Sequence, residues 1–259
     1  MKIPKLSVVL AVFNEEANLG RSLESVKDIA DEIVISDGGS TDKTLDIAKK
    51  YKAKIFNLKN QANFHINKNN AIDHATEDWI LQLDADEVVS PELAAEISSI
   101  LKSQDSNLNG YWVNRKNWFL DRFLTKGGQY PDPTLRLYRR GNGRLPAQDV
   151  HEQAAVEGEV GHLQHDLLHH RDTSFEKYLQ GFNRYSTLIS GQMKLCKEPI
   201  NIISAMNYLT IKPLTIFIKI YFRHRGYVDG YPGFVFAVFS GLVLAVAYIK
   251  YWQETKFPA

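Results

Sequence analysis

The chain is almost without cysteine: Cys196 is the single one in 259 residues. That excludes an intrachain disulfide and any multi-thiolate metal site, and it suits a reducing compartment. The chain also lacks an excess of either charge. Thirty-one Lys and Arg stand against 30 Asp and Glu, a net charge of +1. Nucleic-acid-binding proteins usually carry a clear basic excess, so no nucleic-acid partner is expected. There is no internal repeat and no low-complexity tract, which argues against a solenoid or a disordered tail. The N-terminal MKIPKLSVVLAVFNEE holds only a short apolar run, ended by Asn14, Glu15 and Glu16. A secretory leader needs a longer run and a small-residue cleavage site, so this stretch is read as a first strand. What remains is ordinary globular composition, 44% hydrophobic and 24% charged, enough for one large α/β domain or a domain with an appendage.

Strand and helix signals alternate through the first hundred residues. Leu6 to Phe13 is a continuous apolar run with one serine, the pattern of a strand buried on both faces. Glu16 to Ile29 has helical spacing at Leu19, Leu23 and Val26. Glu32 to Ser36 is a second strand; DGGSTDKT follows, with Ser40 or Thr41 as the expected cap of a helix from Asp42 to Tyr51. Lys54 to Asn57, Phe64 to Ala75, Trp79 to Leu83 and Pro91 to Leu101 read as strand, helix, strand and helix. This order predicts a mainly parallel sheet covered by helices. Gly110 to Phe119 and Thr134 to Arg139 then read as strands with no helix between them, which makes the later sheet mixed.

Polar groups cluster where the parallel strands end, the natural place for a ligand. The first strand ends at Asn14 and Glu15, the second at Asp37, and the fourth at Asp84 and Asp86. Each has an ordinary explanation: acids favour a helix N-terminus, Asp before glycines makes a turn, and a lone Asp-x-Asp is common. Together they would repel one another unless a divalent cation or a ligand's donors relieved them. Mg²⁺ or Mn²⁺ prefers carboxylate oxygens and also binds phosphates, so this edge fits a metal-bridged diphosphate.

SVVLAVFNEE, VISDGGSTDKT and NAIDHATEDWILQLDADE, in this order and spacing, resemble the nucleotide-sugar domain of family 2 glycosyltransferases over about residues 5 to 90. TLRLYRR, DVHE and KPLTIFIKIYFRHRGYVDGYPG extend the resemblance to a bacterial subgroup that includes the lipopolysaccharide-core β-glucosyltransferases. The resemblance implies a GT-A fold, a Rossmann-like mixed sheet flanked by helices, and a metal-dependent inverting hexose transfer. The donor would be a nucleotide sugar, a UDP-sugar by this likeness, and the acceptor a glycan or lipid-linked glycan. By position, Val12, Asn14, Glu15 and Asp37 would hold base and ribose, Asp84 would lie near ribose and diphosphate, and Asp86 would ligate Mg²⁺ or Mn²⁺. Lys68 and Asn70 fall where the family has polar residues near the nucleotide. The usual acidic pair that supplies the base is replaced by His151 and Glu152, so Glu152 is the expected base and Asp149 its competitor.

Other features leave alternatives open. Arg136, Arg139 and Arg140 suit phosphates or a solvent face, with Arg136 the better phosphate or structural candidate. Gly127 and Gly128 in TKGGQYPDP would let that loop close over the donor. His162, His165, His169 and His170 with Asp166 would fit zinc or iron, or make ordinary hydrogen bonds. The alternatives in function are a polyprenyl-phosphate sugar synthase, a nucleotidyltransferase, a non-catalytic nucleotide-sugar-binding protein and a metal hydrolase. FNEEAN after the first strand, without a basic Gly-rich loop, argues against the nucleotidyltransferase.

Composition changes once, dividing residues 1–200, the expected transferase domain, from 201–259, an apolar and basic helical segment. Gly230 to Ile249 is an uncharged stretch of 20 residues, about the length that crosses a bilayer core. Lys212, Lys219, Arg223 and Arg225 precede it, which suits an anionic membrane surface. The segment is expected to attach to the cytoplasmic face of the inner membrane, peripherally or as a monotopic element in preference to a single span; a hairpin buried on the domain is the third option.

Overall fold

The computed structural model describes residues 3–59, 64–103, 107–146, 153–172 and 174–257. By their contacts these form two compact units, residues 1–115 with 132–170, and residues 116–131 with 171–259.

The first unit is built on β1 (Leu6–Val12), β2 (Glu32–Asp37), β3 (Lys54–Asn57) and β4 (Trp79–Leu83), all parallel. Helices α1 (Leu19–Val26), α2 (Thr44–Lys50) and α3 (Phe64–Asp73) connect them. After β4 come the short strand β5 (Glu87–Val89), α4 (Pro91–Ser103) and β6 (Gly110–Phe119). Beyond the short β7 (Arg122–Phe123) come β8 (Asp132–Arg139), the small hairpin of β9 (Gly143–Arg144) and β10 (Ala155–Val156), and β11 (Val160–Asp172). The main sheet runs β3-β2-β1-β4-β8-β6-β11-β5, with β8 antiparallel to both β4 and β6 and β5 antiparallel to β11. The strand order reverses between β1 and β4, so the crevice outside their carboxyl ends is a switch point of the kind that binds ligands.

Alternation along the strands makes the two cores. Val8, Leu10, Ile33, Ile35, Leu81 and Leu83 face α1 and α4, which bury Leu19, Leu23, Val26, Leu93 and Ile97 against them. Val9, Val34 and Ile80 face the other way, toward Ala71 and Ile72 of α3 and Tyr138 of β8. Burial on both faces is why β1 and β4 read as continuous apolar runs. Glu32 is buried at the entrance of β2, where it accepts from Ser7 Oγ, Thr76 N and Oγ1, and Lys54 Nζ.

The second unit has α5 (Phe175–Leu195) and a helical run from 202 to 223 that contains α6 (Ile202–Met206) and α7 (Lys212–Ile218). Two π-helical turns, Asn207–Ile211 and Lys219–Arg223, follow α6 and α7. The first lies just before Pro213, whose ring cannot donate in a helix, and a widened turn absorbs that loss. The chain then turns through Gly226–Asp229 into α8 (Gly230–Lys256). The helix through Gly226–Lys256 is long and apolar enough to cross a membrane.

The 202–223 run and α8 lie antiparallel. Tyr208 stacks on Tyr248 at 5.1 Å, and a Cβ on Gly241 would come within 2.5 Å of Pro213 O. Loop 116–131 is held by this pair. Buried Asp229 accepts from Thr125 N (3.0 Å), Thr125 Oγ1 (2.6 Å) and Lys126 N (2.8 Å), and Gly127 N donates to His224 O. The glycine loop expected to close over a ligand is thus pinned at Thr125, Lys126 and Gly127.

Candidate active site

The loops after β1 and β2 clasp each other. Asn14 has φ 54°, a left-handed conformation that asparagine tolerates better than most residues. Its N–H donates to Ser40 Oγ, and its Oδ1 accepts from Thr41 N. Glu15 N donates to Thr44 Oγ1, and the Glu15 carboxylate accepts from Asn18 Nδ2. Ser40 and Thr41 therefore do not cap α2 as the sequence suggested; at its first turn Asp42 Oδ1 accepts from Thr44 N instead. Asp37 is 1% exposed and closes its own turn, accepting from Gly39 N, Ser40 N and Ser40 Oγ, with Gly39 at φ 93°. Val12 is buried, and its carbonyl accepts from Gly38 N.

The end of β4 carries an ion network reaching from α3 to β8. Asp84 pairs with Lys68 of α3 and, at 2.7 Å, with Arg136 of β8. The same Arg136 nitrogen lies 2.6 Å from Glu87, which is 0% exposed. Glu87 also accepts from Asp84 N and meets Arg115 at 3.4 Å, and Arg115 pairs with Asp132. Burial by itself would raise the Asp84 carboxyl, but Arg136 and Lys68 hold it well below the usual carboxylate range. Burial likewise works against the Arg136 guanidinium, and Asp84 and Glu87 outweigh it and raise its pKa. Arg136 Nε is buried and has no hydrogen-bond partner among the described residues. The solvent-face alternative fails for Arg136, which is buried with Tyr138, and holds for Arg140, which is exposed.

Asp86 lies in a different setting. Its carboxylate is 3.4 Å from His169 Nε2 on β11, and its carbonyl accepts from His170 N. Burial lowers the His170 imidazole to about 4, with help from Arg21 and His169 and against Asp86, so that ring is neutral at neutral pH. The expectation that a divalent cation or a ligand's donors must relieve these acids is narrowed. Asp84 is balanced by Lys68 and Arg136, and Asp37 is satisfied by its turn.

Of the residues singled out in sequence, Asp84, Lys68 and Arg136 come together, with Asp86 two residues along the same loop. Asn14, Glu15, Val12 and Asp37 form the neighbouring clasp. Asn70 takes another side of α3; with Asn69, Asp73, Arg144 and Leu145 it lines a cavity of about 740 Å³. Glu152, Asp149 and His151 lie outside the described residues. The histidine segment is a strand, and its rings separate. His165 meets Glu96 at 2.8 Å, His162 stacks on Trp112, and no three His, Cys, Asp or Glu among the described residues form a metal cluster. Sequence reasoning missed Glu87, Arg115 and the pairing of His169 with Asp86. The available signal was arginine between leucines in TLRLYR: inside an apolar strand it implies a buried carboxylate partner.

Residues 7–153 match the sequence model of glycosyl transferase family 2. The chain belongs to that family. Over its whole length this glycosyltransferase is similar to the lipopolysaccharide core biosynthesis glycosyltransferase LpsC of Rhizobium meliloti (strain 1021). The two are 31% identical over 99% of this chain and 96% of the relative. An uncharacterized glycosyltransferase of Rickettsia bellii (strain RML369-C) is 30% identical over 89% of this chain and 80% of its own. Among solved structures it resembles the mannosyltransferase PcManGT of Pyrobaculum calidifontis, in complex with GDP-Man and Mn²⁺. The TM-score is 0.51 at 12% identity, over 98% of this chain and 88% of that one. The glycosyltransferase thus has the GT-A type of mixed sheet flanked by helices, followed by an apolar C-terminal helix.

Proposed function

We propose that this glycosyltransferase is a metal-dependent inverting enzyme that moves a hexose, glucose by the subgroup it resembles, from a UDP-sugar to a glycan or lipid-linked acceptor such as lipopolysaccharide core. The observation that carries the reading is the division of labour at the end of β4: Asp84 neutralised by Lys68 and Arg136, and Asp86 turned to His169. Val12, Asn14, Glu15 and Asp37 would hold the nucleoside, while Lys68, Asp84 and Arg136 would face the diphosphate. Asn70, on the same helix as Lys68, would meet the donor from the cavity on the other side of α3.

Asp86 and His169 would hold the ion, one carboxylate and one imidazole. That small donor set fits Mn²⁺ or Mg²⁺, which are commonly held by one or two protein groups plus substrate phosphates and water. When bound, such an ion stabilises the negative charge on the departing diphosphate. PcManGT, which shares the fold, was solved with a nucleotide sugar, GDP-Man, together with Mn²⁺.

In the transfer, the acceptor hydroxyl oxygen forms a bond to the anomeric carbon from the side opposite the diphosphate. The bond from that carbon to the diphosphate oxygen breaks, and its electron pair leaves on the oxygen. Glu152, or Asp149 in its place, takes the hydroxyl proton. Residues 1–200 would carry this chemistry, and 201–259 would attach the enzyme to the cytoplasmic face of the membrane.

Titration with a panel of nucleotide sugars, in Mn²⁺ or Mg²⁺ and then in EDTA, tests the reading. One UDP-sugar should bind only with metal, and Asp86→Ala should lose that dependence. Unchanged metal-dependent affinity in the variant removes Asp86 from the ion site. Glu152→Gln should bind donor and not transfer; an inactive Asp149→Asn beside an active Glu152→Gln gives the base to Asp149. The exposed apolar helices favour one second reading, a polyprenyl-phosphate sugar synthase. Its phosphate acceptor needs no base, and Glu152→Gln would stay active.

A further inference from the structure

We infer that the outer faces of the 202–223 helical run and α8 form one in-plane docking surface for an anionic lipid bilayer, lying along one leaflet without crossing it. The inference rests on the membrane reading of residues 201–259 and specifies its partner and geometry.

The helical run shows its apolar side to the outside. α6, α7 and the turn Lys219–Arg223 bury no residue at all. Ile202, Met206, Leu209, Leu214, Ile218 and Phe222 are all exposed. A helix on the surface of a soluble protein turns charged and polar residues outward. α8 breaks the same rule. Its outward stripe is Tyr231, Phe234, Leu242, Ile249 and Trp252, at helical spacing, with Lys256 its one charge at the C-terminal end.

The two stripes adjoin at both ends of the pair. Ile202, Leu209, Ile249 and Trp252 line one cavity of about 470 Å³. At the other end Phe234 packs on Phe217 and Tyr221, with ring centroids 5.8 and 5.7 Å apart. The result is a continuous apolar surface, larger in kind than the scattered exposed side chains of a soluble monomer.

Charge names the occupant. Residues 199–228 contain no Asp or Glu, while Lys212, Lys219, Arg223 and Arg225 lie among the apolar side chains. An apolar helix face interleaved with basic residues complements anionic headgroups over a hydrocarbon layer. A second protein would more often present an apolar core inside a polar rim of both signs.

The α5 helix decides between lying and crossing. From Tyr231 to Trp252 α8 rises about 32 Å, long enough to span. But α5 is packed alongside it. Phe175, Tyr178 and Phe182 surround Phe239, and Met193 joins Tyr248 and Tyr251 in one cluster. Lys250 Nζ, within reach of hydrogen bonds at 2.7–2.8 Å, donates into Asn183, Ser186 and Thr187 of α5. The outer side of α5 carries exposed Glu176, Lys177, Arg184 and Lys194. A spanning α8 would drag those charges into hydrocarbon or break the packing, and both are costly. Lying flat satisfies both helices.

The test is flotation of the full chain with vesicles of phosphatidylcholine alone and with about a third phosphatidylglycerol. It is paired with calorimetric donor binding as the control for an intact first unit. The wild type should float with the anionic vesicles and be released by salt. Lys219→Glu with Arg223→Glu should weaken that binding by at least about fivefold for each charge. Leu214→Glu with Ile218→Glu, both at exposed positions, should abolish flotation and leave donor binding unchanged. A C-terminal tag should be cleavable from outside on inverted inner-membrane vesicles.

Failure to float with either vesicle, with donor binding intact, overturns the docking surface and leaves the transferase reading standing. Equal binding to neutral and anionic vesicles overturns the lipid choice. A tag protected inside the inverted vesicles makes α8 a span, and a tight dimer with these faces paired makes the occupant a second copy; each overturns the proposal.

Discussion

Arg136 shows how one residue holds several claims together. It is buried, it meets both Asp84 and Glu87, and it sits on a strand distant in sequence from both. Removing one partner of a buried ion pair leaves the other charge uncompensated, which typically costs about 3–5 kcal/mol. Arg136→Met should lower the unfolding free energy by about that amount in urea titrations, and Arg136→Lys by less, since it keeps the charge and loses the fork. Glu32 makes a pH prediction. Burial alone would raise its carboxyl, but hydrogen bonds from Lys54, Ser7 and Thr76 bring it from 4.5 to about 2. A depressed carboxyl stabilises the fold fully above its unfolded value and loses that contribution as pH falls toward the folded one. Glu32→Gln should therefore cost about 1–3 kcal/mol at neutral pH, with the gap to wild type closing as urea midpoints are followed from pH 5 down toward about 2. The Asp-x-Asp pair was legible in sequence because its members are neighbours. Glu87 with Arg115, and Asp86 with His169, were not, because their partners arrive from strands whose order only the folded sheet reveals.

At the scale of elements, β1 and β4 were legible to within a residue, because strands buried on both faces leave unbroken apolar runs. The helices α1 and α2 came out shorter than expected. Their first residues are drawn into the clasp between the two loops, and Ser40 serves Asp37 and Asn14 where a cap was expected. The strand β5 was invisible: three residues carry no period, and its partner is β11, far along the chain. The antiparallel helices of the second unit meet at backbone distance, which makes a clean prediction. A Cβ at Gly241 would press on the Pro213 carbonyl, an atom that cannot swing away. Gly241→Leu should force the helices apart at about 1–3 kcal/mol, seen as a lower melting temperature, while Leu242→Ala, on the exposed side, should change it little.

For the molecule as a whole, the compositional change near residue 200 is real, yet the compact units are drawn differently. Residues 116–131 belong with the C-terminal helices, although they are the end of β6 and the connection from it to β8. Contacts across a hundred residues of sequence could not be foreseen from composition. Asp229, which receives Thr125 and Lys126, was one aspartate among many until its burial was known. The order of the chain also bears on assembly. The stretch 116–131 is synthesised long before the carboxylate that fixes it.

That clamp limits how the protein can be trimmed. An apolar C-terminal segment is the natural piece to remove when a soluble fragment is wanted, and residue 200 looks like the place to cut. Such a fragment would keep every strand of the sheet and lose Asp229 and the His224 carbonyl, leaving Thr125, Lys126 and Gly127 without their acceptors. It should be cut by dilute protease within 116–131 under conditions where the full chain is resistant. Asp229→Asn in the full chain should show a weaker form of the same lesion. The segment that looks like a dispensable tail is, for this loop, its foundation.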